Sequence, residues 1–113
     1  MTQPIAIIKA QGVLEKEYGE QLRQQIVETA NQEISGILLD LSQISFMNST
    51  GLGILVAVYT TLKKQGKELY LCSLNEQLKI IFELTSMDSC FKIYPDYQAF
   101  EKATNFTDKP RLT

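Results

Sequence analysis

The run Ile37-Leu38-Leu39-Asp40-Leu41, just after Gly36, is almost continuously apolar. A strand with one wet face alternates apolar and polar residues, so a run like this needs cover on both faces. That is the condition of a central strand in a layered α/β sheet. The flanking segments agree. Ile5-Ala6-Ile7-Ile8 is a short β-branched run ending near Gly12, and Tyr18, Leu22, Ile26, Val27 and Ala30 then recur at helical spacing. A further helix is predicted to run to about Gln65, stopped by Gly66 behind Lys63 and Lys64. Glu68–Ser73 reads as a strand. Ser73 and Glu76 match a capping box, opening a helix that carries Leu74, Leu78, Ile81, Phe82 and Thr85 on one face. Phe91–Tyr94 is a last strand, Pro95-Asp96 a turn and cap, and Tyr97–Ala103 a short helix. The expectation is an α/β fold with a mostly parallel or mixed central sheet of about four to five strands, about four helices and right-handed crossovers. Residues 1–103 form one domain in this reading, and the polar stretch 104–113 is expected to be a flexible tail.

Composition removes several function classes. The formal net charge is −2, so no basic field exists to hold nucleic acid or anionic lipid. The absence of histidine excludes His-based triads, phosphohistidine relays and most catalytic zinc sites. Two cysteines, Cys72 and Cys90, cannot make a structural zinc site by themselves. No metal or cofactor is expected. The apolar run near the N-terminus is too short for a signal peptide and no stretch approaches a membrane span, so a cytoplasmic protein with reduced thiols is expected, without membrane insertion.

One stretch concentrates small polar residues and glycines: Asn48-Ser49-Thr50-Gly51-Leu52-Gly53, ahead of a helix. Asn and Ser are favoured N-caps, and glycines allow a tight turn into a helix, so a purely structural reading exists. It is not a P-loop, which needs G-x-x-x-x-G-K-[ST]. Gly51-x-Gly53 lacks the third glycine of the dinucleotide fingerprint and stands about nine residues beyond Ile37–Leu41. Asn48-Ser49-Thr50 and Asn105-Phe106-Thr107 match the glycosylation sequon, which an intracellular chain would not have read. Ser49 as a nucleophile would lack a histidine base. A hydroxyl at a helix N-terminus suits phosphorylation: about −1.5 to −2 of charge would meet free N–H groups and the positive end of the dipole. Its effect would fall on whatever docks there. On the helical wheel Leu52, Leu55, Val56, Tyr59 and Leu62 form the core stripe, while Ile54, Ala57 and Val58 lie opposite and are also apolar. Either neighbouring helices cover them or they form an interaction patch.

With these residues in view, the chain resembles the STAS-domain anti-sigma factor antagonists, or anti-anti-sigma factors. Their motif is an apolar pair, then Asp-Ser-[Ser/Thr]-Gly-Leu-Gly opening a helix, and here it stands as Phe46-Met47-Asn48-Ser49-Thr50-Gly51-Leu52-Gly53. The likeness runs from about Ile5 to Ala103 and includes the passages Leu62–Leu71 and Leu74–Met87. It implies the STAS fold and a non-enzymatic regulatory module. In that family the unphosphorylated antagonist binds an anti-sigma factor that is also a serine kinase; the kinase phosphorylates the motif serine, and a PP2C-type phosphatase reverses this. The matching acceptor is Ser49, with Thr50 beside it as the lesser candidate. The implied partner surface comprises Asn48, Ser49, Thr50, Gly51, Leu52, Gly53, Ile54 and Val58, with Glu15 added. Two positions depart from the pattern. The motif Asp is Asn48, and a Gly-x-Leu-Asp common after the early strand is Gly12-Val13-Leu14-Glu15. The alternatives are a STAS subunit of a transporter or signalling scaffold without a sigma factor, and a small nucleotide-binding or phosphotransfer protein using the Ser49–Gly53 loop.

Overall fold

The computed structural model describes residues 3–104 and 106–108 of the chain. Ten elements follow in order: β1 (Gln3–Leu14), α1 (Lys16–Ala30), β2 (Gly36–Met47), α2 (Ser49–Lys64), β3 (Glu68–Cys72), α3 (Glu76–Leu84), a single 3₁₀ turn (Met87–Ser89), β4 (Lys92–Tyr94), α4 (Tyr97–Thr104) and β5 (Phe106–Asp108). The strands form one five-stranded sheet in the order β4-β3-β2-β1-β5, every neighbouring pair parallel. The α/β fold with a parallel sheet and four helices is the one expected.

Successive moves from β1 to β4 step in one direction across the sheet, so right-handed crossovers place α1, α2 and α3 on the same face. The return from β4 to β5 crosses the whole sheet and puts α4 on the other. Burial follows this division. One cluster joins Ile8, Ile37, Leu39 and Leu69 to Leu22, Ile26, Leu55, Val58, Leu78 and Phe82 from the three helices. A smaller one joins Ile5, Leu38, Tyr70 and Cys72 to Phe100 of α4, with Tyr70 and Phe100 rings edge-on at 5.1 Å. Alternate residues of Ile37-Leu38-Leu39 thus face two cores, which is why that run is apolar throughout.

The strands are longer than the apolar runs that mark them. β2 continues to Met47 because its pairing with β1 slips twice: Lys9↔Asp40 is followed by Gln11↔Gln43, and Gly12↔Ile44 by Val13↔Phe46. Each slip adds one residue to β2, resetting the alternation. Leu41, Ile44 and Met47 therefore all face the large core at a spacing of three, a period that belongs to neither a regular strand nor a helix. The Asn48–Gly53 stretch consequently follows a strand directly and is not set apart from one.

The end of α2 is as its sequence indicates. Gly66 has φ 74°, its N–H donates to Lys63 O at 3.0 Å, and Lys67 N–H donates to Leu62 O at 2.9 Å, the two bonds of a Schellman motif. The start of α3 differs from expectation. Ser73 has φ 65°, outside the extended region an N-cap needs, and donates its N–H to Tyr94 O at 3.2 Å. The cap is Asn75, whose side chain accepts from Leu78 N–H. At the other end of the chain, 106–108 pair with β1 as β5; the remainder of the 104–113 stretch past α4, 105 and 109–113, lies outside the described residues. Among the described residues no helix is long and apolar enough to cross a membrane, and no group of ligand-type side chains could hold a metal.

Helix α1 carries no basic residue in its last turn. Lys67, just past the Schellman turn of α2, supplies one from outside: its ammonium donates to Ala30 O and, at 3.1 Å, to Gln32 O. Gln32 O also accepts from Ile34 N–H at 2.9 Å, and a cation on carbonyls past a helix C-terminus is favourable for both hydrogen bonding and dipole. Lys67→Met keeps the apolar stem and removes this bond, and urea denaturation is expected to show a loss of about 1–2 kcal/mol.

Candidate functional site

Asn48 is the single residue between β2 and α2. Its backbone is extended (φ −95°, ψ 179°), and its Oδ1 accepts from Gly51 N–H at 2.8 Å. Its own N–H donates to Leu14 O at 3.2 Å, and its carbonyl accepts from Leu52 N–H at 3.0 Å. The neutral amide thus does the capping that a motif carboxylate would do. Ser49 and Thr50 follow as the first helical residues, both exposed, and neither hydroxyl makes a hydrogen bond among the described residues. By helix geometry their N–H groups lack intrahelical partners. The first turn of α2 holds no acidic residue, whereas α1 has Glu17 and α3 has Glu76.

The two glycines differ in kind. A Cβ on Gly51 would lie 2.2 Å from Leu14 O, a backbone atom, so only glycine fits where α2 presses on the end of β1. A Cβ on Gly53 would meet nothing within 4 Å. Gly53 is exposed, and it leaves bare backbone on the surface beside Ser49 and Thr50.

The rest of the predicted surface is only partly brought together. Val58 is 1% exposed, wedged into the large core, and has no surface to offer a partner; the wheel misplaced it because three helices on one face widen the buried stripe of α2. Ile54 is half-buried against α1, where its Cδ1 would be 2.6 Å from a Cβ on Gly19, so the neighbouring helix covers it. Leu52 is buried, and Ala57 remains exposed.

Glu15 caps α1: its carboxylate accepts from Glu17 N–H and Tyr18 N–H, both at 2.9 Å. Those two bonds hold its carboxyl below the ordinary glutamate value of 4.5. It directly follows Leu14, whose carbonyl binds Asn48, so the Glu15 and Asn48 caps stand at the ends of adjacent strands.

Three apolar residues near Ser49 complete the surface. Phe46, 46% exposed, forms one wall of an open groove with Leu52; Ile81 and Leu84 of α3 form the other, with Asn48, Ser49 and Thr85 at the rim. Leu84 is 81% exposed, unusual for a large aliphatic side chain. Sequence reading assigned α3 one apolar face. The available signal was that Ile80, Ile81 and Leu84 spread apolar residues beyond the core positions Leu78 and Phe82. A separate cavity of about 290 Å³, lined by Leu74, Phe82, Ile93, Tyr94 and Pro95 among others, lies across α3 and contains none of the predicted site residues.

The family model for the STAS domain matches residues 2–100, and the chain belongs to that family. Among its relatives is the anti-sigma F factor antagonist of Paenibacillus polymyxa, 29% identical over 94 residues, an alignment covering 82% of this chain and 78% of the relative. The unphosphorylated form of the anti-sigma factor antagonist SpoIIAA superposes with a TM-score of 0.74 at 19% identity, covering 94% of this chain and 93% of that one. The STAS domain of a SulP transporter from Vibrio cholerae gives 0.72 at 18% identity, covering 89% and 81%. The structural likenesses establish the shared fold; its use in both antagonists and a transporter shows that fold alone does not choose a role.

Two outcomes follow from the geometry. Gly51→Ala is expected to destabilise by about 2–4 kcal/mol, because backbone must move, whereas Gly53→Ala is expected to be neutral or to stabilise by up to about 1 kcal/mol. Thermal melts of both variants check this. For Glu15, a folded pKa below the unfolded one means stabilisation that is present above about 4.5 and lost as pH falls through the folded value. Glu15→Gln is therefore expected to be less stable than the parent at pH 7, the gap closing in more acidic solution, as read by urea midpoints across pH.

Proposed function

We propose that the protein is a non-enzymatic binding module that engages an anti-sigma factor with serine kinase activity, and that phosphorylation of Ser49 releases it. A PP2C-type phosphatase restores the binding form. Residence in the cytoplasm goes with this role. The observation that supports the reading best is Ser49 itself: an exposed hydroxyl on the first residue of α2, free of hydrogen bonds among the described residues, beside the Phe46–Leu84 groove. A phosphoryl group there would meet open N–H groups and an uncompensated dipole, so the domain should tolerate it. A docked partner would not. An unpaired charge at a buried interface costs about 2–5 kcal/mol, roughly thirty- to several-thousand-fold in affinity. Phe46 and Leu84 supply exposed apolar area beside the switch and Ala57 a little more two turns along α2, with Gly53 admitting close backbone approach.

Asn48 is compatible with this reading because it keeps the cap; what it removes is a negative charge next to the acceptor. The named antagonist relatives favour this role over the transporter-subunit alternative.

The experiment is peptide-level mass spectrometry after incubating the full chain with ATP and soluble lysate of its own source. Phosphate is expected on Ser49, and Ser49→Ala should take up none there. In pull-downs with ATP omitted, Ser49→Ala should retain the kinase while Ser49→Asp loses it by about thirtyfold or more. Equal retention by both variants would reduce Ser49 to a helix start.

A further inference from the structure

We infer that Asn75 is a positioning residue for the Ser49 surface, tethering α3 to the bulged end of β2 so that both walls of the groove keep their separation. The inference deepens the binding role proposed above and rests on it.

Asn75 uses both halves of its amide. Oδ1 accepts from Leu78 N–H at 2.9 Å, which caps α3. Nδ2 donates to Ile44 O at 3.1 Å and, more weakly, to Ser45 O at 3.4 Å. Capping alone does not call for asparagine, since Ser or Asp serves equally well. What neither offers is a second arm: Asp has no donor, and Ser carries its single O–H on the capping oxygen itself.

Its place in the sheet explains the need. β3 pairs with β2 only as far as Cys72↔Asp40, so beyond Asp40 the β2 strand has no strand neighbour on that side among the described residues. In the same stretch the second slip against β1 leaves Ser45 as the extra residue. A bulged residue lacks ladder partners, and unpaired backbone groups in a packed region need another partner. In a regular strand successive carbonyls point to opposite sides; here one amide reaches two in a row. Asn75 stands in for the missing strand.

The consequence lies a few residues away on each element. Phe46 directly follows Ser45, and Asn48 and Ser49 come next after Met47, while Ile81 and Leu84 ride on the helix that Asn75 starts. One wall thus belongs to β2 and the start of α2, the other to α3, and this side chain ties β2 to α3.

Asn75→Ser and Asn75→Asp separate the two roles. Both keep an acceptor for Leu78 N–H and remove the amide donor: Asp has no donor, and the Ser O–H sits on the capping oxygen itself, one bond short of where Nδ2 stands. Ser adds no charge and carries the test if the Asp variant does not fold. Amide hydrogen exchange on the full chain is expected to show Leu78 still protected. The Asn48 and Gly51 amides, bonded to Leu14 O and Asn48 Oδ1, should exchange about tenfold faster or more, beyond any change in global stability measured by urea. Unchanged protection at Asn48 and Gly51 in a folded Asn75→Ser would overturn the inference and leave Asn75 a cap. The rate of phosphate uptake at Ser49, measured with ATP and source lysate, is expected to fall severalfold in Asn75→Ser. An unchanged rate alongside faster exchange would equally overturn the positioning role. If the parent chain takes up no phosphate, the switch reading fails, and the exchange data still decide whether Asn75 holds the groove.

Discussion

The start of α2 is pressed onto the end of β1 at a single point, the Leu14 carbonyl. That oxygen accepts the Asn48 N–H and lies where any side chain on Gly51 would have to be. The contact sets the approach of helix to sheet, and much else depends on it. The close approach leaves Asn48 as the whole connection between strand and helix, using its N–H, carbonyl and side chain at once. Ser49 and Thr50 then have to emerge at the surface with their backbone donors open, because the residues on either side are committed to the junction.

Parallel topology brings similar junctions together. In a sheet whose strands all run one way, every β-to-α turn lies at the same edge, and three successive crossovers on one face align their helix starts there. Glu15, Asn48 and Asn75 are the caps of these three starts. Each side chain bonds differently. Glu15 holds two N–H groups of α1, Asn48 holds Gly51, and Asn75 holds both α3 and β2. Two of the three are neutral amides, the one carboxylate among the three stands on α1, and the first turn of α2 has no negative charge of its own.

The core lies on both faces of the sheet, and the Phe46–Leu84 groove opens at the carboxyl edge, touching that core at Met47 and Leu52. A charge added at a helix N-terminus is electrostatically welcome to the domain and unwelcome to an apolar partner. Change at the edge can therefore alter association with little effect on folding.

The order of elements, the two-faced burial of Ile37–Leu41, the Gly66 stop and the Asn48–Gly53 stretch were all legible in the sequence, because each depends on local chemistry or on a regular period. The length of β2 was not, since two bulges against β1 convert its apolar spacing to three. The cap of α3 was misread for a related reason: a matching Ser73–Glu76 pair says nothing of the backbone angle that pairing with Tyr94 imposes on Ser73. Val58 and Ile54 looked like surface because a wheel shows one helix without its neighbours; α1 and the sheet decide what is covered. Ile81 and Leu84 join Phe46 only when β2 and α3, distant in sequence, are laid side by side. The sequence by itself determined the α/β layers and the place of the candidate switch, which rest on residue type and period. The tertiary structure alone decided which apolar residues surround that switch, because burial belongs to packed elements and not to single ones.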